Sequence, residues 1–78
     1  MTVTVYVKPP GPPCVQCDMT KKALDRQGTP YTTALLTGAN LEAAKALGHM
    51  SAPVVVVERG GQVESWSGFD PTRIKGLV

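Results

Sequence analysis

No stretch of this sequence reaches the roughly 18 consecutive apolar residues that a membrane-spanning helix needs. The N-terminus also lacks the charged-then-apolar layout of a secretory signal, so the cytoplasm is the expected compartment. Charge of one sign is equally scarce. The formal net charge is +2 and the eight Lys and Arg residues are scattered, which excludes the basic stripe of a nucleic-acid binder. There is one His and no second Cys-x-x-Cys, so four Cys and His ligands for structural zinc cannot be assembled. What remains is the composition of a globular protein, 42% hydrophobic and 18% charged over 78 residues. That length suffices for one domain, burying roughly 60% of its unfolded surface. Structural disulfides are rare in the cytosol, so the two cysteines need a chemical reason.

The elements can be read in order. Thr2 to Val7 alternates β-branched polar and apolar residues and runs into Lys8-Pro9-Pro10-Gly11-Pro12-Pro13, where proline lacks the donor to continue a ladder. From Cys14 the period becomes helical, with Val15, Met19 and Ala23 at four-residue spacing beside Leu24 as the expected inward face, and Gly28 as a left-handed C-terminal cap. Tyr31 to Leu36 reads as a second strand, which makes a right-handed βαβ unit. Asn40 can cap a second helix that turns Leu41, Ala44 and Leu47 inward and ends at Gly48. Val54 to Val57 is a β-branched run suited to a strand covered on both faces. Arg59-Gly60-Gly61-Gln62 supplies a hairpin turn, and Val63 to Trp66 returns as an edge strand. Asp70-Pro71 has the cap-plus-proline signature of a last helix through Ile74, Leu77 and Val78. The order is β-α-β-α-β-β-α, an α/β protein without repeats or linkers.

Cys14-Val15-Gln16-Cys17 falls at the junction of the first strand and first helix, where a Cys-x-x-Cys pair reads as a redox motif. Unsatisfied N–H groups and the helix dipole favour a thiolate at the first position. Moving a thiol pKa from ~8.5 to ~7 raises the ionised fraction at neutral pH from a few per cent to about half. Cys14 is then the nucleophile that attacks a partner disulfide. Cys17, one turn later, resolves the mixed disulfide by closing a Cys14–Cys17 bond.

Other residues leave two readings open. Ala52-Pro53 before the valine run is either simple strand punctuation or a cis peptide that turns the backbone toward the site. His49 reads as a partly exposed loop histidine rather than a base, since no partner is visible. Lys8 is either solvated or a source of positive potential at the sulfurs, and Met50 and Ser51 suit a lip beside Pro53. Trp66 and Phe69 fit either the core, which is favoured for Phe69, or a partner-facing patch.

Taken together, these segments resemble the NrdH-redoxins, glutaredoxin-like proteins of the thioredoxin superfamily. The resemblance covers almost the whole chain. It rests on Val3-Thr4-Val5-Tyr6 leading to Cys14-Val15-Gln16-Cys17, on Ser51-Ala52-Pro53-Val54-Val55, and on Trp66-Ser67-Gly68-Phe69-Asp70-Pro71. It implies a thioredoxin fold, a four-stranded mixed sheet flanked by helices, with Pro53 in cis. It implies Cys14 as attacking and Cys17 as resolving thiol. Val15, Gln16, Ala52, Pro53, Trp66, Ser67, Gly68 and Phe69 are implied as the partner-binding surface, with the Ala52 backbone pairing with an extended partner segment. It further implies a monomer that binds no cofactor, takes electrons from thioredoxin reductase, where NADPH enters, and delivers them to ribonucleotide reductase. Two departures stand out. The loop before Cys14 is lengthened by Pro9-Pro10-Gly11-Pro12-Pro13, and Asp70 stands where the family's Phe-Arg-Pro has arginine.

Two other functions compete. A glutathione-dependent glutaredoxin often carries Pro-Tyr between its cysteines, where this chain has Val15-Gln16, and a Gly-Gly-x-Asp glutathione anchor, absent near Gly68. A non-catalytic binding module would keep the cysteines as a passive bridge or a metal site, and disulfide reduction would then survive Cys14→Ser.

Overall fold

The computed structural model describes all 78 residues. Seven elements follow in the expected order: β1 (Thr2–Val7), α1 (Val15–Gln27), β2 (Thr32–Leu35), α2 (Gly38–Ala46), β3 (Val54–Arg59), β4 (Gln62–Ser67) and α3 (Pro71–Lys75). The strands form one mixed sheet in the order β2-β1-β3-β4. β1 and β2 run parallel, joined through α1, while β3 is antiparallel to both β1 and β4. β4 is an edge strand, as expected of the strand returning from the Gly60-Gly61 turn.

Register decides which residues make the core. Val3 faces Val57, Val5 faces Val55, and Val55 faces Trp66. Cross-strand partners share a face, so these five side chains form one apolar surface. Leu24 of α1, Ile74 of α3 and the following Leu77 cover it. Each fully buried Val, Leu or Ile stabilises the fold by about 2 kcal/mol relative to exposure. Val54 alternates to the opposite face, where it and Ala44 of α2 are both buried. The valine run is thus covered from both sides.

The ends of the elements follow their local chemistry. Gly28 closes α1 in the left-handed region at φ 75°, and the Thr29 N–H reaches back to the Leu24 carbonyl at 3.0 Å. The Gln27 amide donates to the Thr29 hydroxyl (2.8 Å) and to the Ile74 carbonyl (2.7 Å), fixing α1 against α3. Asp70 caps α3 by accepting the Arg73 N–H at 3.1 Å, with Pro71 in the first turn. Gly60 and Gly61, both at positive φ, make the two-residue turn between β3 and β4.

Expectations about all three helices are corrected. The inward face of α1 keeps Leu24, with Ala23 half-buried against the core, but not Val15 and Met19. Its buried residues are Cys17, Thr20 and Leu24, while Val15 is 66% and Met19 43% exposed. A core-facing threonine disguised the true phase of the stripe. α2 begins after Thr37, not Asn40. Asn40 lies inside the first turn, and its amide donates to the Leu35 carbonyl at 3.0 Å, tying the helix to β2. Leu47 is exposed because the helix ends at Ala46 and the chain leaves before another inward turn. α3 stops at Lys75 rather than Val78, yet Leu77 still reaches the core from the tail.

Candidate functional site

The backbone just before α1 decides how the two cysteines are presented. Cys14 is the N-cap, in extended conformation, and its Sγ accepts the backbone N–H of Cys17 at 3.3 Å. Sulfur here takes the place usually held by an oxygen of Ser, Thr, Asp or Asn, so one orphan N–H of the first turn is satisfied by the atom that carries the chemistry. Cys14 and Cys17 are joined in a disulfide with a Cα–Cα distance of 5.3 Å, within the range a disulfide spans comfortably. The two sulfurs differ in access. Cys14 is half-buried at the mouth of the site, whereas Cys17 is 3% exposed and faces the core. Only Cys14 can be reached by an incoming thiolate.

Two further segments pack around this disulfide. The Ala52–Pro53 peptide is cis, and the Pro53 carbonyl accepts the Gly68 N–H at 2.8 Å. On the other side of that turn, the Phe69 N–H donates to the Gln16 side-chain oxygen at 3.1 Å. The Cys-x-x-Cys turn, the Ala52–Pro53 turn and the Ser67–Phe69 turn are therefore linked through Gln16 and two backbone donors. The N–H and C=O of Ala52 take no hydrogen bond from the rest of the chain. They are free to pair with another strand.

Trp66 is placed differently from its three neighbours. It is 5% exposed and belongs to the core, with the Arg73 guanidinium 5.6 Å from its ring centroid. Ser67, Gly68 and Phe69 are half-buried beside Gln16. Val15 projects into solvent next to Cys14.

A groove of about 560 Å³ opens on the α2 side of Cys14. Pro9 and Pro13 of the lengthened loop, Leu36, Leu41 and Met50 to Ala52 line it. Its charged lining side chains are Lys8 and Lys45, with no carboxylate. His49 also lines it, and its Nε2 shares a hydrogen bond of 2.8 Å with the Ser65 hydroxyl on β4. That partner lies sixteen residues away, which is why sequence reasoning left His49 as an unpaired loop residue. Lys45 and Leu41 were missed as site residues for a similar reason. Only the packing of α2 brings them near Cys14. No group of three or more His, Cys, Asp or Glu side chains is placed to hold a metal ion.

The arrangement suits one chemistry: exchange at an accessible sulfur whose partner sulfur waits inside. Comparison with known proteins agrees. Residues 3–63 match the glutaredoxin family model. The chain is 34% identical over 79 residues to the glutaredoxin-like protein NrdH of Escherichia coli strain K12, covering 99% of this chain and 89% of that protein. The solved structure of NrdH-redoxin from Escherichia coli, studied for its thioredoxin-like activity profile, superposes with a TM-score of 0.85 at 32% identity. The match covers 100% of this chain and 96% of that one. A glutaredoxin from Archaeoglobus fulgidus shares the fold with a TM-score of 0.66 at 22% identity, over 96% of this chain and 83% of that one.

Proposed function

This chain belongs to the glutaredoxin family as a thiol–disulfide oxidoreductase related to the NrdH-redoxins, and from that premise we propose that it carries electrons from thioredoxin reductase to ribonucleotide reductase. The observation that supports this reading best is the asymmetry of the sulfurs, Cys14 accessible at the helix N-cap and Cys17 buried one turn on. In the reduced protein the Cys14 thiolate attacks a partner disulfide, forms a mixed disulfide and expels one partner thiolate. The Cys17 thiolate then attacks the Cys14 sulfur, closes the internal disulfide and expels the second. Two electrons pass to the partner, which leaves as a dithiol after taking up two protons. In the oxidised protein seen here, the reductase's thiolate attacks Cys14 and the same steps run in reverse.

Ala52 offers its free N–H and C=O to an extended segment of the partner, a short strand addition that would aim the partner disulfide at Cys14. Pro53, Gln16 and the Ser67–Phe69 turn hold that edge in place, and Val15 lies against the incoming chain. The protein acts as one domain and a monomer in the cytoplasm. It binds no cofactor, and NADPH enters only at the reductase.

The test is NADPH oxidation at neutral pH with thioredoxin reductase, this protein and the disulfide form of ribonucleotide reductase. Wild type is compared with Cys14→Ser and Cys17→Ser. The expected result is turnover that both substitutions abolish, with Cys17→Ser trapping a mixed disulfide at Cys14. Activity only with glutathione and glutathione reductase would move the protein to the glutathione-dependent reading and discard this one.

A further inference from the structure

The outer face of α1 carries residues that the core does not use. Val15, Met19, Lys22 and Arg26 stand at positions i, i+4, i+7 and i+11, and all four are exposed. At 100° per residue they fall within a stripe about 60° wide, nearly opposite the buried Cys17, Thr20 and Leu24. The stripe has a polarity. Its two apolar members lie at the Cys14 end, and its two cations follow.

The charges on this stripe are free. Asp18, the nearest acid in the first turn, lies 3.6 Å from Lys21, and the other ion pairs of the protein are Arg59–Glu64 and Arg73–Asp70. Neither Lys22 nor Arg26 has an acidic side chain within ion-pairing distance. Exposing Val15 and Met19 beside a reactive disulfide gains the fold nothing, and methionine is a side chain that adapts to partner surfaces. The groove on the α2 side is concave and can seat an extended chain. The outer face of a helix is convex and offers no strand edge or groove for an extended chain, so it suits a preformed surface.

We propose that the Val15–Met19–Lys22–Arg26 face of α1 is the docking surface for the folded protein that reduces Cys14–Cys17, whose own surface beside its dithiol is apolar with an acidic margin. The inference rests on the reading that thioredoxin reductase is that protein. Val15 and Met19 pack against the apolar part next to the exchanging sulfurs. Lys22 and Arg26 meet the acidic margin and steer the encounter. Donor and acceptor thus share Val15 beside Cys14 but otherwise dock on different elements, and they compete for the same sulfur, so they must act in alternation.

The experiment measures steady-state reduction of the oxidised protein by thioredoxin reductase and NADPH, varying this protein and the salt concentration. Met19→Glu and the double variant Lys22→Glu/Arg26→Glu are compared with wild type, with Val63→Glu on exposed β4 as a control for an added acid. The stripe predicts KM raised about tenfold or more in both test variants with kcat little changed. It also predicts a salt dependence of kcat/KM that flattens in the double variant, and an unchanged rate of reduction by dithiothreitol. Wild-type KM and salt dependence in both test variants would overturn the inference while leaving the proposed function standing. A parallel slowing with dithiothreitol would also overturn it, by placing the defect at the disulfide rather than in docking. Wild type that is not turned over by the reductase would remove the proposed function itself and this inference with it.

Discussion

Gly68 has a φ of 79°, and a Cβ built there would lie 3.0 Å from the Gln16 side-chain oxygen that accepts the Phe69 N–H. Gly68→Ala therefore does two things at once. It places an L side chain in the left-handed region, at a cost of about 1 kcal/mol. It also crowds the Gln16 side-chain oxygen, which must give by a few tenths of an ångström, and so weakens or breaks a hydrogen bond worth about 1 kcal/mol. Gln16→Ala removes the same bond without the backbone strain. The singles should lose about 2 and about 1 kcal/mol, and the double variant only about 2, because the bond can be lost once. The assay is urea denaturation of the oxidised proteins, with thermal melts as a check, where each kcal/mol corresponds to about 4–8 °C in a domain of this size. A double variant near the full sum of about 3 kcal/mol would refute the link between the Cys-x-x-Cys turn and the Ser67–Phe69 turn. A harmless Gly68→Ala would refute the strain.

Two further outcomes are expected. Thr20 is fully buried on the core face of α1, and its hydroxyl has no hydrogen-bond partner in the protein. Thr20→Val keeps the shape and removes the stranded group, so it should stabilise the fold by about 1–2 kcal/mol in the same denaturation assay. A destabilised Thr20→Val would mean that the hydroxyl is satisfied after all. The Tyr31 phenol is held above its ordinary value of 10.0 by desolvation and, after that, by the charge and hydrogen bonding of Asp25. The folded chain thus keeps this proton where the unfolded chain loses it. The resulting stability is fully present below about pH 10 and is lost as pH rises through the folded pKa. Tyr31→Phe should remove that part of the alkaline loss, and the tyrosinate absorbance missing from the variant should be the part that titrates above pH 10. An unchanged alkaline limb would count against the raised pKa.

The strands, the hairpin and the start of α3 were legible because their signals are local. The β-branched run of Val54 to Val57, the Gly60-Gly61 turn and the Asp70-Pro71 cap each need only a few neighbouring residues to be read. The phase of α1 was not legible for the opposite reason. Thr20 is polar by composition but buried by position, and Val15 and Met19 are apolar but exposed. A periodicity argument weighs residue type alone, so it rotated the helix by about a third of a turn and put Val15 and Met19 inside. The start of α2 was misplaced because Asn40 looks like a cap. Its side chain instead serves the Leu35 carbonyl, a contact set by the parallel pairing of β2 with β1.

The site divides along the same line. The two cysteines could be found from spacing, because the chemistry requires two sulfurs one turn apart at a helix start. What surrounds them could not, because the links are made by backbone groups that every residue shares. The Gly68 N–H on the Pro53 carbonyl and the Phe69 N–H on Gln16 carry no residue-type signature. The residues alone marked Ala52-Pro53 and left Phe69 between core and surface, and the resemblance to a known family gathered those segments without saying why they belong together. The geometry supplies the reason. Gln16 lies between the sulfurs in sequence and accepts from the Ser67–Phe69 turn. That turn donates to Pro53, and Pro53 follows the free edge at Ala52. A displacement of any one of the three turns must strain a hydrogen bond to another, so the sulfur and the strand edge that would orient its partner are held as one unit.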